Sequence, residues 1–145
     1  MFKQLTSTTN SPVLAIIRIA LGIVILPHGL QKTLGLFGGG GIAGTLGFFE
    51  QTWGIPAFVT LLVILAESVG ALALIAGFLS RVAAAGIGIV MLGAAAIVHR
   101  PNGFFMSNGG YEFHILAIAM AVAVILQGGG ALSVDRTLSE GRRQA

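Results

Sequence analysis

No cysteine occurs in the chain, so disulfides, thiolate metal sites and dithiol exchange by the protein's own side chains are excluded. Charge is nearly as scarce, at 9% of the 145 residues against about a quarter in a soluble globular domain. No long polar stretch offers room for a second domain. Nor do the histidines show H-x-x-x-H or E-x-x-H spacing, so no metal site is expected. What is present is a sequence 55% hydrophobic with a mean hydropathy of +0.94, the composition of a membrane protein. The net charge of +3 does not point to nucleic acid, because the basic residues are scattered and no aromatic-plus-basic groove interleaves them.

Four apolar segments approach the ~20 residues that a bilayer core requires, at about 12–31, 55–79, 82–98 and 113–132. The expected fold is all-α: a single integral membrane domain built as a four-transmembrane-helix bundle, with a flexible cytoplasmic tail over about 133–145. Asn10 and Ser11 can cap the first helix, and Pro12 is tolerated in its first turn. Arg18 interrupts this segment and no A-x-A-like site follows, so it reads as a retained helix rather than a signal peptide. Placing Lys3, Arg81, Arg136, Arg142 and Arg143 inside and Lys32 and Arg100 outside puts both termini in the cytoplasm of a bacterial-type inner membrane. In the first outer loop Ile42, Leu46, Phe49 and Trp53 recur at helical spacing, which predicts a short amphipathic helix in the outer interface. Gly39, Gly41 and Gly44 match G-x-G-x-x-G, but without a preceding strand they are no dinucleotide fingerprint. Ala66, Gly70, Ala73 and Gly77, with Ala84, Gly88 and Gly93, read as positions for close helix packing.

Two charges fall within these spans. Arg18 and Glu67 each cost ~2.5–3.5 kcal/mol on insertion scales if unpaired, and on antiparallel helices they are expected at similar depth, as a direct or water-bridged pair. Arg18, Ile25, His28 and Lys32 follow steps of seven, three and four, one helical stripe leading to the outer end, with Pro27 predicted to bend the helix there. His99, Asn102, Glu112 and His114 gather at the same end of the third and fourth spans. Imidazoles titrate near neutrality and carry hydrogen bonds, so this cluster is a candidate proton relay or anchor for a carbonyl-bearing ligand. A helix exit lined by interfacial histidines and aromatics would look similar.

The segments IIRIALGIVILPHGLQKTLGLFGG, GTLGFFEQTWGIP, LAESVGALALIAGFLSRVAA and HRPNGFFMSNGGYEFHILAIAMAVA resemble the DoxX family of small four-helix integral membrane proteins. The likeness runs from about Leu14 to Val134. It aligns the family's first-helix arginine with Arg18, its histidine-glycine turn with His28 and Gly29, the following lysine with Lys32 and the second-helix glutamate with Glu67. The third-helix exit falls on His99 and Asn102 to Phe105, and the glutamate entering the fourth helix on Glu112. Some members are associated with quinone-linked oxidation of sulfur compounds and others with complexes handling oxidative or thiol stress, so the resemblance implies a redox-linked membrane protein.

The function expected from this is a subunit holding a small apolar carbonyl ligand at the outer-leaflet cluster. Arg18, His28, Lys32, Glu67, His99, Asn102, Glu112 and His114 are the candidate ligand-binding residues, and His28, Glu67 and Glu112 the candidate proton relays. No cofactor motif is visible, and quinone is the candidate ligand. If there is catalysis, it is that of an oxidoreductase subunit served by a redox partner protein. The bilayer is a second partner, a homo-oligomer is a further candidate, and nucleic acid is not a partner. The alternatives are a passive binder or permease for a small hydrophobic molecule or lipid, and a structural anchor for a soluble oxidoreductase.

Overall fold

The structure is a computed structural model that describes residues 2–141, and among these it is helical without strands. In chain order the helices are α1 (Phe2–Leu5), α2 (Pro12–Leu34), α3 (Gly41–Trp53), α4 (Ala57–Ala76), α5 (Ser80–Asn102), α6 (Glu112–Gln127) and α7 (Val134–Gly141). Helices α2, α4 and α5 are long and apolar enough to cross a membrane, whereas α6 has 16 residues, about 24 Å of rise. Successive long helices are antiparallel, with Gly22 against Ala71 and Gly29 against Glu67 in α2 and α4, and Gly88 against Ala121 and His99 against His114 in α5 and α6. One end of the bundle therefore carries the loops 35–56 and 103–111, and the other carries both chain ends.

Local sequence explains most boundaries. Ser11 accepts a hydrogen bond from Leu14 N–H while Pro12 opens α2, and left-handed Gly35 closes it. Helix α4 begins after Pro56 and stops at Gly77, whose φ of 72° suits glycine and turns the chain back toward α5. Pro27 lies inside α2, which runs on to Leu34.

The core is a column of Leu21, Ile25, Ala71, Leu74, Ala84, Ile87, Met91, Ala117, Ala121 and Val124. The outer surface is also apolar: Ile16, Leu62, Ile89 and Leu116 are each more than half exposed. That pattern fits a lipid solvent, which gives no reason to hide leucine. Of the small residues, Ala84 and Gly88 lie in this core and Gly70 meets Ile87, whereas Gly77 ends α4 and Gly93 faces open space.

Arg18 and Glu67 do not pair. The expectation centred both helices at one depth, but Gly29 packs its backbone against Glu67 and Ser68, six residues beyond the midpoint of α2 and about 9 Å along its axis. Arg18 is thereby level with the end of α4, where helix carbonyls lack intrahelical partners. Fully buried, its guanidinium donates to the carbonyls of Leu74 and Ile75 at the α4 terminus and to Gly129, Ala131 and Leu132. The fourth helix correspondingly stops at Gln127 rather than near 132, because residues 128–132 are drawn across the bundle to Arg18.

Where a flexible tail is expected, α7 forms. Asp135 is buried and accepts from Leu79 N–H and Ser80 N–H, both at 2.8 Å, capping α5. Arg81 donates to the Ile125 and Leu126 carbonyls at the end of α6 and to Ser7 O. Arg81 and Arg136 lie at the end carrying the chain termini and Lys32 and Arg100 at the loop end; Arg142 and Arg143 lie outside the described residues.

Arg18→Met leaves these carbonyls buried without their donor and should cost about 3–5 kcal/mol. Unfolding in detergent checks the loss, and hydrogen exchange should rise selectively over residues 128–141.

Candidate functional site

The second polar centre lies at the loop end. Glu67 stands on a π-helical turn, Ala66–Gly70, and accepts from Lys32 Nζ at 2.5 Å, with the two side chains 6% and 19% exposed. Lys32 Nζ also reaches the His28 carbonyl at 3.5 Å. The pair forms because Gly29 lets α2 meet the backbone of α4; a Cβ there would collide with the Glu67 carbonyl. Ser68 Oγ donates to Ile64 O, one of the acceptors close to the π turn.

His99 ends a second π-helical turn, Ala95–His99, in α5. Its Nδ1 lies 2.6 Å from Gly109 O, and since a carbonyl only accepts, this nitrogen carries the proton. Asn102 Nδ2 donates to the same oxygen at 3.2 Å. The His99 ring lies beside that of His114, with centroids 4.2 Å apart and planes inclined by 41°. His114, in the first turn of α6, is 4% exposed and its Nδ1 has no hydrogen-bond partner among the described residues. Such a buried nitrogen costs about 1–3 kcal/mol when unsatisfied.

Glu112 Oε1 accepts from Met106 N–H at 2.6 Å, while Glu112 N–H and Tyr111 N–H bond back to Phe104 O and Gly103 O. Glu112 thus folds the 103–111 loop over the histidine pair. His28 is exposed on the flank of α2, off the buried line through Ile25 and Gly29. The stripe of Arg18, Ile25, His28 and Lys32 is therefore split, with Arg18 and Ile25 buried, Lys32 half-buried and His28 outside. Among the described residues no group of three His, Cys, Asp or Glu side chains is placed to hold a metal ion.

The structure brings together Lys32 with Glu67 and His99 with Asn102 and His114, places Glu112 in the loop above them, and removes Arg18 to the opposite end. It adds Gly29, Gly109 and the two π turns. A close glycine contact was available as a signal at Gly29, beside a costly charge on the next helix; the π turns have no residue signature. Helix α3 occupies the predicted segment, with Phe48, Phe49 and Trp53 in edge-to-face contact, though Thr45 is its buried residue and Ile42 is exposed.

A family model described as DoxX matches residues 13–100, which carry Arg18, His28, Lys32, Glu67 and His99. The chain is also 26% identical over 128 residues, 88% of each chain, to a Bacillus subtilis (strain 168) protein named "Putative oxidoreductase CatD". No solved structure matches significantly.

Lys32→Met strands Glu67 in the bundle and should destabilise it by about 3 kcal/mol, whereas Lys32→Met with Glu67→Leu should recover most of that loss. Denaturant titration of the detergent-solubilised variants separates the two.

Proposed function

Because the chain belongs to the DoxX family, we propose that it is a redox-associated membrane protein that holds a quinone-like carbonyl ligand against the His99–His114 pair. The observation that carries this reading is His114 Nδ1, a buried imidazole nitrogen without a partner beside a second imidazole whose proton position is fixed. A neutral imidazole either donates to a carbonyl oxygen or accepts from a hydroxyl, the two oxidation levels of a quinone oxygen. Reduction of a quinone by two electrons also takes up two protons. His114 would give one to the ligand oxygen and be reprotonated from solvent by way of exposed His28, while the second comes from solvent at the ligand's other oxygen. Quinone supplies the electron-accepting chemistry when bound, and the electrons come from a redox partner protein, since no cofactor motif is present in this chain.

The membrane arrangement belongs to the same proposal. Helices α2, α4, α5 and α6 cross a bacterial inner membrane, the short α6 being followed by the bent segment 128–132 that Arg18 holds. Both chain ends are cytoplasmic, and α3 lies in the outer interface with its aromatic cluster at headgroup depth. A permease reading fares worse: the end opposite the site is closed by the Arg18 and Asp135 bonds, which alternating access would have to break.

Protein purified in mild detergent should retain quinone, identified by mass spectrometry of the extract. His114→Phe, which keeps the burial and removes the nitrogen, should weaken binding of a water-soluble quinone analogue at least tenfold, about 1.4 kcal/mol. Absence of binding to the parent protein, or equal binding to His114→Phe, overturns the reading.

A further inference from the structure

The end carrying the chain termini bears a depression of about 410 Å³ between the last turn of α4 and α7. Ala76, Leu132 and Val134 form its apolar side, and Arg136, Thr137 and Glu140 its polar side. Leu132 is 85% exposed and its backbone is left-handed, φ 52°, a region that L residues seldom occupy. Arg18 holds the Leu132 carbonyl while Asp135 N–H bonds to Gly77 O, so the leucine is fixed pointing out of the fold.

Depth and charge indicate what covers this surface. Helix α4 has 20 residues, about 30 Å, so with Ala57 at one hydrocarbon boundary Ala76 stands at the other. The apolar half of the depression is then at acyl depth and the polar half among headgroups. Asp135 is buried in its cap, which leaves Glu140 as the facing carboxylate against Arg136, and Arg81 lies at the same end. The sequence continues with Arg142 and Arg143. Arg136 donates to Glu140 at 2.7 Å and to Asn10 Oδ1, but Glu140 is 54% exposed, and an ion pair so open to water contributes little.

We infer that this depression binds one anionic phospholipid, its phosphate taken by Arg136 and Thr137 and an acyl chain laid along Leu132 and Ala76. The phosphate displaces Glu140 from Arg136, exchanging a solvated carboxylate for a charge that is anchored in the bilayer. The site is separate from the histidine cluster and does not depend on the function proposed for it.

The full chain reconstituted with equal phosphatidylglycerol and phosphatidylcholine, then examined by native mass spectrometry, should retain one phosphatidylglycerol in preference to phosphatidylcholine. Arg136→Gln should reduce that preference about fivefold, the weight of one basic residue at an anionic surface, and Leu132→Ser should lower retention of both lipids. Thr137→Val provides a milder variant should Arg136→Gln fail to fold, and Arg100→Gln, at the opposite end, should change nothing. Equal retention of the two lipids by the parent protein overturns the inference, as does an unaltered preference in Arg136→Gln or, where that variant is unfolded, in Thr137→Val. Displacement of the lipid by millimolar inorganic phosphate would identify a soluble-anion site and overturn it too.

Discussion

A guanidinium with no water around it must find acceptors, and in this bundle Arg18 finds them at a helix end. The last turn of α4 leaves carbonyl oxygens without intrahelical partners, and the chain beyond α6 brings more. Negative ends of peptide dipoles stand in for a bonded carboxylate, and one side chain joins α2, α4 and the segment that follows α6. Arg81 does the same for the end of α6. Both cations neutralise helix ends at the end carrying the chain termini, so positive charge there has a structural use.

The loop end is built differently. Its charges pair side chain to side chain, Lys32 with Glu67, and its polar groups sit on π-helical turns in α4 and α5. A π turn adds a residue to a helical revolution, re-aims the side chains after it and loosens nearby backbone bonds, a device frequent at functional sites. Among the described residues each end leaves one buried side-chain atom unpartnered, Ser80 Oγ beside the Asp135 cap and His114 Nδ1 at the loop end, and only the second lies against another imidazole. Unused hydrogen-bonding capacity is where a ligand can gain affinity.

Composition alone makes the membrane class legible, since a sequence with so few charges cannot clothe a soluble surface. The places of the three longest apolar helices follow from the lengths of apolar runs, and the helix over Gly41–Trp53 from spacing. Convergence of His99 and His114 also follows, because antiparallel α5 and α6 bring their loop ends together. What stays hidden is register. Apolar helices can slide along one another without changing their sequence pattern, so an arginine and a glutamate that look opposed can be separated by two or more turns. Gly29, the residue that fixes the slide, carries no charge to advertise itself. The bound tail is illegible for a similar reason: Asp135 resembles any surface acid until the turn it caps is known.

That cap sets an order on assembly. Translation proceeds from the N-terminus, so the start of α5 at Ser80 emerges well before the carboxylate that satisfies it, with the whole of α6 made in between. The start of α5 has its first amides uncovered until the segment that follows α6 has been made. The bundle is thus closed in the manner of a clasp, by a segment made after all four of the helices it fastens.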